Sequence, residues 1–338
     1  MSLYYYQAIG LLIKSNEPLP LCKVASPANA LAADLTFEMV GDRVVEFAID
    51  DEVPVYPTPD RRDRALFRSA RLPDGTLNMT LDGRKIGIEE YFQFLISPDG
   101  SHITVAWSST TPLSHVLPYL LNPGLGAALR LRGALGLHAS AIQCDGHAIV
   151  VIGPKGAGKS TLTNSMIDAG YRLIADDLCA IALDSASAHV HSLYPRLRLT
   201  PQTVKNLYGS VDALPEIWPG RTYPLNKRYR PLEHDQFCEG ATPVCALIVL
   251  EPRLAKHAQI RLEKLSRVEA MLNLLRNTFV QYALDRQGRE TEMNQLKRLV
   301  SLTPSFTVGF PDSLELLTHQ SKLLPEMVLK QMKNHATV

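Results

Sequence analysis

The chain reads Ala148-Ile149-Val150-Val151-Ile152-Gly153-Pro154-Lys155-Gly156-Ala157-Gly158-Lys159-Ser160 across its middle. Ala148 to Ile152 is an uninterrupted apolar run, which suits a strand buried on both faces. Gly153 to Ser160 fit G-x-x-x-x-G-K-[ST], a loop whose residue types follow from its chemistry. The glycines let successive backbone N–H groups turn inward around a polyphosphate. The lysine brings positive charge to the transferred phosphate, and the serine hydroxyl can ligate magnesium. Ser160 to Ala169 then read as a helix, with Leu162, Met166 and Ile167 on one side and Gly170 as its stop. Strand, glycine turn and helix N-terminus gather free N–H groups and the helix dipole at one point, the arrangement an anion needs. The expected ligand is a nucleoside triphosphate. Its candidate contacts are Gly153, Pro154, Lys155, Gly156, Ala157, Gly158, Lys159, Ser160 and Thr161.

The bulk of the chain limits the alternatives. Its 338 residues allow two domains, and 46% hydrophobic residues suffice for real cores. A net charge of +1 argues against broad nucleic-acid binding, which needs a basic face to displace counterions. The five cysteines (Cys22, Cys144, Cys179, Cys238 and Cys245) are scattered, with no C-x-x-C pair, and read as reduced thiols of a cytoplasmic protein. Met1 to Lys14 lack the pattern of a secretory leader, and no stretch is long and apolar enough to span a bilayer. A cytoplasmic protein without membrane or nucleic-acid partners is the expectation.

Residues 1–130 read as a β-rich domain without recognisable chemistry, either recognising substrate or covering the sheet of the second domain. Phe37 to Ile49 resembles a hairpin turning at Gly41-Asp42, and Tyr91 to Trp107 another, turning at Pro98-Asp99-Gly100. Glu52 to Arg71 reads as a charged surface loop. Ser114 to Arg132 is helical with an interruption at Pro123-Gly124. Residues 131–338 change to the alternation of strands and helices that marks an α/β domain. Pro243 to Leu250 reads as a buried strand. Ser266 and Glu269 form a capping box before a long helix towards Arg286. Glu290 to Leu302 and Ser313 to Leu324 read as helices flanking a strand, Phe306 to Phe310.

Three further elements could carry chemistry. Asp176-Asp177 end the expected strand Tyr171 to Ala175, and side chains alternate along an extended chain, so the carboxylates should face different neighbours. One could reach a magnesium held by Ser160, the other a hydroxyl attacking the γ-phosphate. His138 follows from register: if Asp145-Gly146 are a two-residue turn, Cys144 pairs with His147 and His138 comes opposite Gly153, at the mouth of the loop. Among the basic residues, Arg196 and Arg198 precede a helix opened by Thr200-Pro201, and Lys227, Arg228 and Arg230 sit in a proline-bounded loop, Pro219 to Pro231. Any of the five could supply the extra cation that phosphoryl transfer uses.

Leu137-His138-Ala139-Ser140-Ala141, the phosphate loop, and Gly170-Tyr171-Arg172-Leu173-Ile174-Ala175-Asp176-Asp177 together resemble the catalytic domain of HPr kinase/phosphorylase. More closely, they resemble the HPr-kinase-related serine kinases found beside bacterial peptide-modification genes, some acting on lasso-peptide precursors. The likeness covers about residues 130 to 325. It implies a P-loop kinase domain of the HPr-kinase, PEP-carboxykinase-like type behind a smaller β-rich domain. It also implies ATP and Mg2+ as cofactors and a serine hydroxyl of a peptide or small protein as acceptor. By the same resemblance Lys159 and Ser160 hold ATP and magnesium, Asp176 is the base, Asp177 stands on the metal side and His138 supports the pair. Pro154-Lys155 depart from the family's acidic and small residues, and residues 184 to 240 do not match its phosphocarrier-docking segment. HPr as substrate, the hexamer and phosphorolysis are therefore not carried over, and a homo-oligomer is left open. Two other readings keep the loop: a kinase of a sugar or other small alcohol, and an ATPase or switch that orients water.

Overall fold

The structure, a computed structural model, describes residues 2–26, 33–43, 53–54, 67–86, 89–221 and 226–336. It is a mixed α/β protein with several sheets, divided into two compact units. Met1–Ala134, Ile217–Arg221 and Val280–Thr291 form one unit; Leu135–Glu216, Thr222–Phe279 and Glu292–Val338 form the other.

The first unit is built on a sheet of β1 (Tyr4–Ala8), β2 (Leu11–Ser15), β3 (Cys22–Lys23), β4 (Leu35–Gly41), β5 (Val53–Pro54), β6 (Phe67–Arg71), β7 (Leu77–Asp82), β8 (Tyr91–Ile96) and β9 (His102–Trp107). Their order is β3-β1-β2-β4-β9-β8-β7-β6-β5. The β8–β9 hairpin forms as expected, with Ile96 opposite Ile103 across the Pro98-Asp99-Gly100 turn. β4 instead lies between two parallel partners, β2 and β9. The returning arm expected up to Ile49 falls outside the described residues, as does most of the Glu52 to Arg71 stretch. Helices α1 (Leu113–Tyr119) and α2 (Leu125–Leu131) are not separated by a break, because a π-helical turn, Leu120–Gly124, carries the chain through Pro123. Phe67, Phe92, Phe94 and Tyr119 pack ring to ring with centroids 4.9–6.2 Å apart, and Trp218 adds its ring 5.5 Å from Tyr119. Each such ring contributes roughly 1.5–3 kcal/mol by leaving water.

The second unit opens with β10 (Leu135–Leu137), β11 (Ala139–Cys144), β12 (His147–Ile152), α3 (Lys159–Asp168), β13 (Arg172–Ala175), β14 (Cys179–Leu183) and β15 (Ala188–His191). It continues through β16 (Arg196–Leu199), α4 (Pro201–Tyr208), β17 (Arg228–Pro231), β18 (Ala241–Leu250), β19 (Arg261–Lys264) and α5 (Arg267–Arg276). After α6 (Arg286–Leu302), of which only Glu292 onward belongs to this unit, come β20 (Ser305–Gly309), α7 (Leu314–Gln320) and α8 (Leu324–Ala336). The sheet runs β10-β14-β15-β18-β12-β11-β13, with β20 alongside the end of β18. Ala148 to Ile152 are fully buried, as a strand covered on both faces requires. β12 runs parallel to β18, and β18 parallel to β20, so the chain ends of all three open at one sheet edge.

The capping box of Ser266 and Glu269 is present, but the helix it opens stops at Asn277 well short of Arg286. Thr278 bridges Leu137, and the Phe279 amide donates to the Gly136 carbonyl. Strand-like pairing of this β-branched segment outcompetes another helical turn. The C-terminal helix expected at Ser313 to Leu324 divides into α7 and α8 through a 3-10 turn.

Candidate functional site

β12 delivers the chain to Gly153, and there the end of β18 crowds the space a side chain would take. A Cβ on Gly153 would lie 3.1 Å from Leu250 Cβ. Gly158, the residue before α3, takes φ 99°, a conformation that costs other residues roughly 1–2 kcal/mol. No side chain caps α3 and no acid stands in its first turn, so its leading N–H groups are left to an outside acceptor. Lys159 Nζ folds onto the loop, donating to the carbonyls of Gly153 at 2.6 Å and Pro154 at 3.3 Å. Its burial lowers its pKa, against the opposing charges of Asp177 and Asp176. Those charges bring the aspartate pair and the loop lysine into one electrostatic cluster.

The β11–β12 turn sets the other side. Asp145 and Gly146 have φ 48° and 77°, both left-handed, as a type I′ turn requires. Cys144 pairs with His147 and the register runs to Ala139 opposite Ile152, so His138 follows directly beside the start of the loop. Its Nδ1 lies 3.1 Å from the Asp177 carbonyl and its ring lies stacked with Phe279 at 6.2 Å. A carbonyl can only accept, so Nδ1 carries the proton and Nε2 of the neutral ring keeps its lone pair. Burial lowers the pKa of His138, with Asp177 opposing, which favours that neutral ring.

Strand alternation does not extend to the two aspartates, which lie just beyond β13. β13 ends at Ala175, and Asp177 turns into the left-handed region at φ 68°. Both carboxylates therefore engage Arg198. Its amide donates to Asp176 Oδ2 at 3.0 Å and its Nη1 to Asp177 Oδ2 at 3.0 Å, while its Nη2 donates to Tyr194 Oη at 2.9 Å. Asp176 also accepts a 2.6 Å hydrogen bond from Ser140 Oγ, and Lys227 Nζ stands 3.9 Å from Asp177 Oδ1.

These surroundings drive the pair apart. Burial, and after it the charge of Asp177, pushes Asp176 up from the ordinary carboxylate range, against the hydrogen bond from Ser140. Burial opposes ionisation at Asp177 too, but Lys227, Arg198 and His138 outweigh it and hold its carboxyl well below that range. The outcome is one acid that protonates more readily than usual beside one that favours its ionised form.

Of the five basic candidates, Arg198 and Lys227 join this cluster. Arg196 lies over the Tyr229 ring, Arg228 pairs with Glu216, and Arg230 pairs with Asp168 and Asn164. The proline-bounded loop is in part a strand, β17, paired with β16. Ser140 and Tyr194 carried no sequence signal read as functional. Ser140 could have been found, since it is a buried polar residue in the otherwise apolar start of β11, two positions past His138.

The residues fit a nucleotide with magnesium. Arg198 Nε is buried without a hydrogen-bond partner among the described residues, which leaves a donor for an oxygen of a ligand or water. No group of three or more His, Cys, Asp or Glu side chains among the described residues could hold a metal by itself. Magnesium bound with substrate phosphates needs only one or two protein oxygens, and Ser160 and Asp177 are the residues that would hold it. No helix among the described residues is long and apolar enough to cross a membrane.

No protein-family model matches the chain, and no curated protein matches it. Among solved structures it is similar to the Hpr(Ser) kinase/phosphatase from Coxiella burnetii at 15% identity. The similarity covers 60% of this chain and 95% of that one, with a TM-score of 0.32, and similarity at this level assigns no residue a role.

Proposed function

We propose that this chain transfers the terminal phosphoryl group of ATP, with Mg2+, to a serine hydroxyl of a peptide or small protein. What carries the reading is the aspartate pair of opposed acidity beside the loop lysine. The loop from Gly153 to Thr161 holds the triphosphate through its backbone N–H groups, which Pro154 alone lacks, and Lys159 leaves the loop carbonyls to face the phosphate charge. Magnesium, when bound, neutralises phosphate charge, with Ser160 and the ionised Asp177 as its protein oxygens.

Asp176 is the base. As the serine oxygen bonds to phosphorus and the bond to the ADP oxygen breaks, Asp176 takes the hydroxyl proton. Its raised pKa makes it a better acceptor than an ordinary carboxylate. Ser140 and the Arg198 amide occupy two of its roughly four lone-pair sites, leaving room for the incoming proton. His138 holds the Asp177 peptide through its carbonyl and so orients the pair.

The test is intact-mass measurement after incubating the protein with MgATP and a panel of serine-containing peptides, alongside sugars and small alcohols. A gain of one phosphate on a peptide serine supports the reading. Phosphate on a small alcohol alone, or ATP turnover without an acceptor that survives Asp176→Asn, overturns it.

A further inference from the structure

The segment after β18 places a cation against the phosphate loop that the loop motif does not include. A Cβ on Gly158 would come within 2.6 Å of Arg253 Nη2, so the guanidinium rests on the bare Cα that precedes α3. Arg253 is exposed, and it has no hydrogen-bond or ion-pair partner among the described residues.

Its backbone is nonetheless fixed on both sides. The Glu251 amide donates to the Val308 carbonyl at 2.9 Å, and the Leu254 amide to the Phe310 carbonyl at 2.8 Å. Asp312 returns a 3.0 Å bond to the Leu254 carbonyl. The Leu254 side chain lies over Gly309, where a Cβ would meet it at 3.0 Å. The arginine therefore stands on a rigid base, with only its side chain free to adjust.

Positive charge gathers at this position. A guanidinium at the positive end of a helix dipole, held against the loop that carries Lys159 and without a carboxylate partner, has no anion here to balance it. A polyanion bound at the loop adds an attraction to each of these positive charges that outweighs the repulsion among them. The planar fork of arginine suits phosphate oxygens, with two parallel N–H bonds to one group.

We propose that Arg253 clamps the phosphate tail of the bound nucleotide from beside Gly158, acting in cis on the triphosphate cradled by residues 153–160. The clamp rests on the ATP-binding reading above and adds to it a residue from outside the motif. Its role is to position the tail and neutralise its charge; the base and the acceptor site are elsewhere.

The test compares wild type with Arg253→Ala, Arg253→Lys and, as a control for general charge, Lys256→Ala at an exposed neighbouring position. Binding of MgATP, MgADP and AMP is measured by calorimetry, with phosphoryl transfer as a second readout. Arg253→Ala is expected to bind MgATP about 10- to 100-fold more weakly, the range for losing a charge-assisted hydrogen bond. AMP affinity and the KM for the acceptor are expected to stay unchanged, Arg253→Lys to recover part of the loss, and Lys256→Ala to match wild type. Wild-type MgATP affinity in Arg253→Ala overturns the clamp alone, as does an equal loss for AMP. Wild-type protein that binds no nucleotide overturns both the clamp and the function beneath it. Clamp-dependent ATP binding without transfer to any acceptor supports the clamp while removing the kinase reading.

Discussion

Ser140 fixes Asp176 through a 2.6 Å hydrogen bond to Oδ1, joining two positions 36 residues apart in the chain. The bond lowers the pKa of a carboxylate that burial raises, so the serine sets where Asp176 becomes ionised. Ser140→Ala should move the acidic limb of the kcat profile to higher pH and leave MgATP affinity intact. Turnover well above that limb should fall only several-fold, since a typical hydrogen bond contributes about 1 kcal/mol. A pH-rate series on both proteins measures this, and an unmoved limb would show that Asp176 is not the group that titrates.

Asp176→Asn and Lys159→Ala should separate chemistry from binding. The asparagine keeps the carboxylate's shape and loses proton acceptance, so kcat should drop about 10²–10⁴-fold with little change in nucleotide affinity. Lys159→Ala removes charge from the transferred phosphate and should lower turnover by about 10²–10³-fold while weakening ATP binding as well. Steady-state kinetics with parallel binding isotherms distinguish the two, and identical profiles would rule out the division of labour.

Arg198→Met leaves Asp177 ionised in a pocket where its side chain is only 12% exposed. Removing one partner of a buried pair costs about 3–5 kcal/mol, which urea denaturation at pH 7 would register. The pH dependence has a definite sign. The lowered native pKa of Asp177 contributes stability that is present above the unfolded value of about 4 and is lost as pH falls through the native one. The gap between wild type and Arg198→Met should therefore narrow as pH drops below about 4. Asp176 works in the opposite sense: its raised native pKa contributes stability below the ordinary carboxylate value and loses it as pH rises.

Gly146→Ala tests the hairpin that brings His138 to the loop. Its φ is 77° and an added Cβ would meet nothing within 4 Å, so the cost is backbone strain of about 1 kcal/mol with no clash. Unfolding free energy should fall by that amount, and nucleotide affinity should remain that of wild type. A larger loss, or a loss of binding, would mean the turn does more than set register.

What could be read from residue order was local. The Asp145-Gly146 turn dictates the β11–β12 register because two-residue loops admit few geometries, and the period of two then carries that register to His138. The glycine loop, the apolar strand before it and the helix after it are legible for the same reason: each is decided by neighbours within a few residues. The Ser266–Glu269 box marked where α5 begins but not where it ends, because pairing of Thr278 with Leu137 stops it from far along the chain.

The environment of the aspartates lay beyond such reading. Asp177 left the strand's alternation for φ 68°, and Arg198, from 21 and 22 residues onward, joined both carboxylates. Arg253 reached Gly158 through the parallel pairing of β12 with β18. Which charges surround a buried group depends on contacts between distant segments, and burial amplifies whatever those contacts are. Residue order supplied the chemical groups; packing assigned each its acidity.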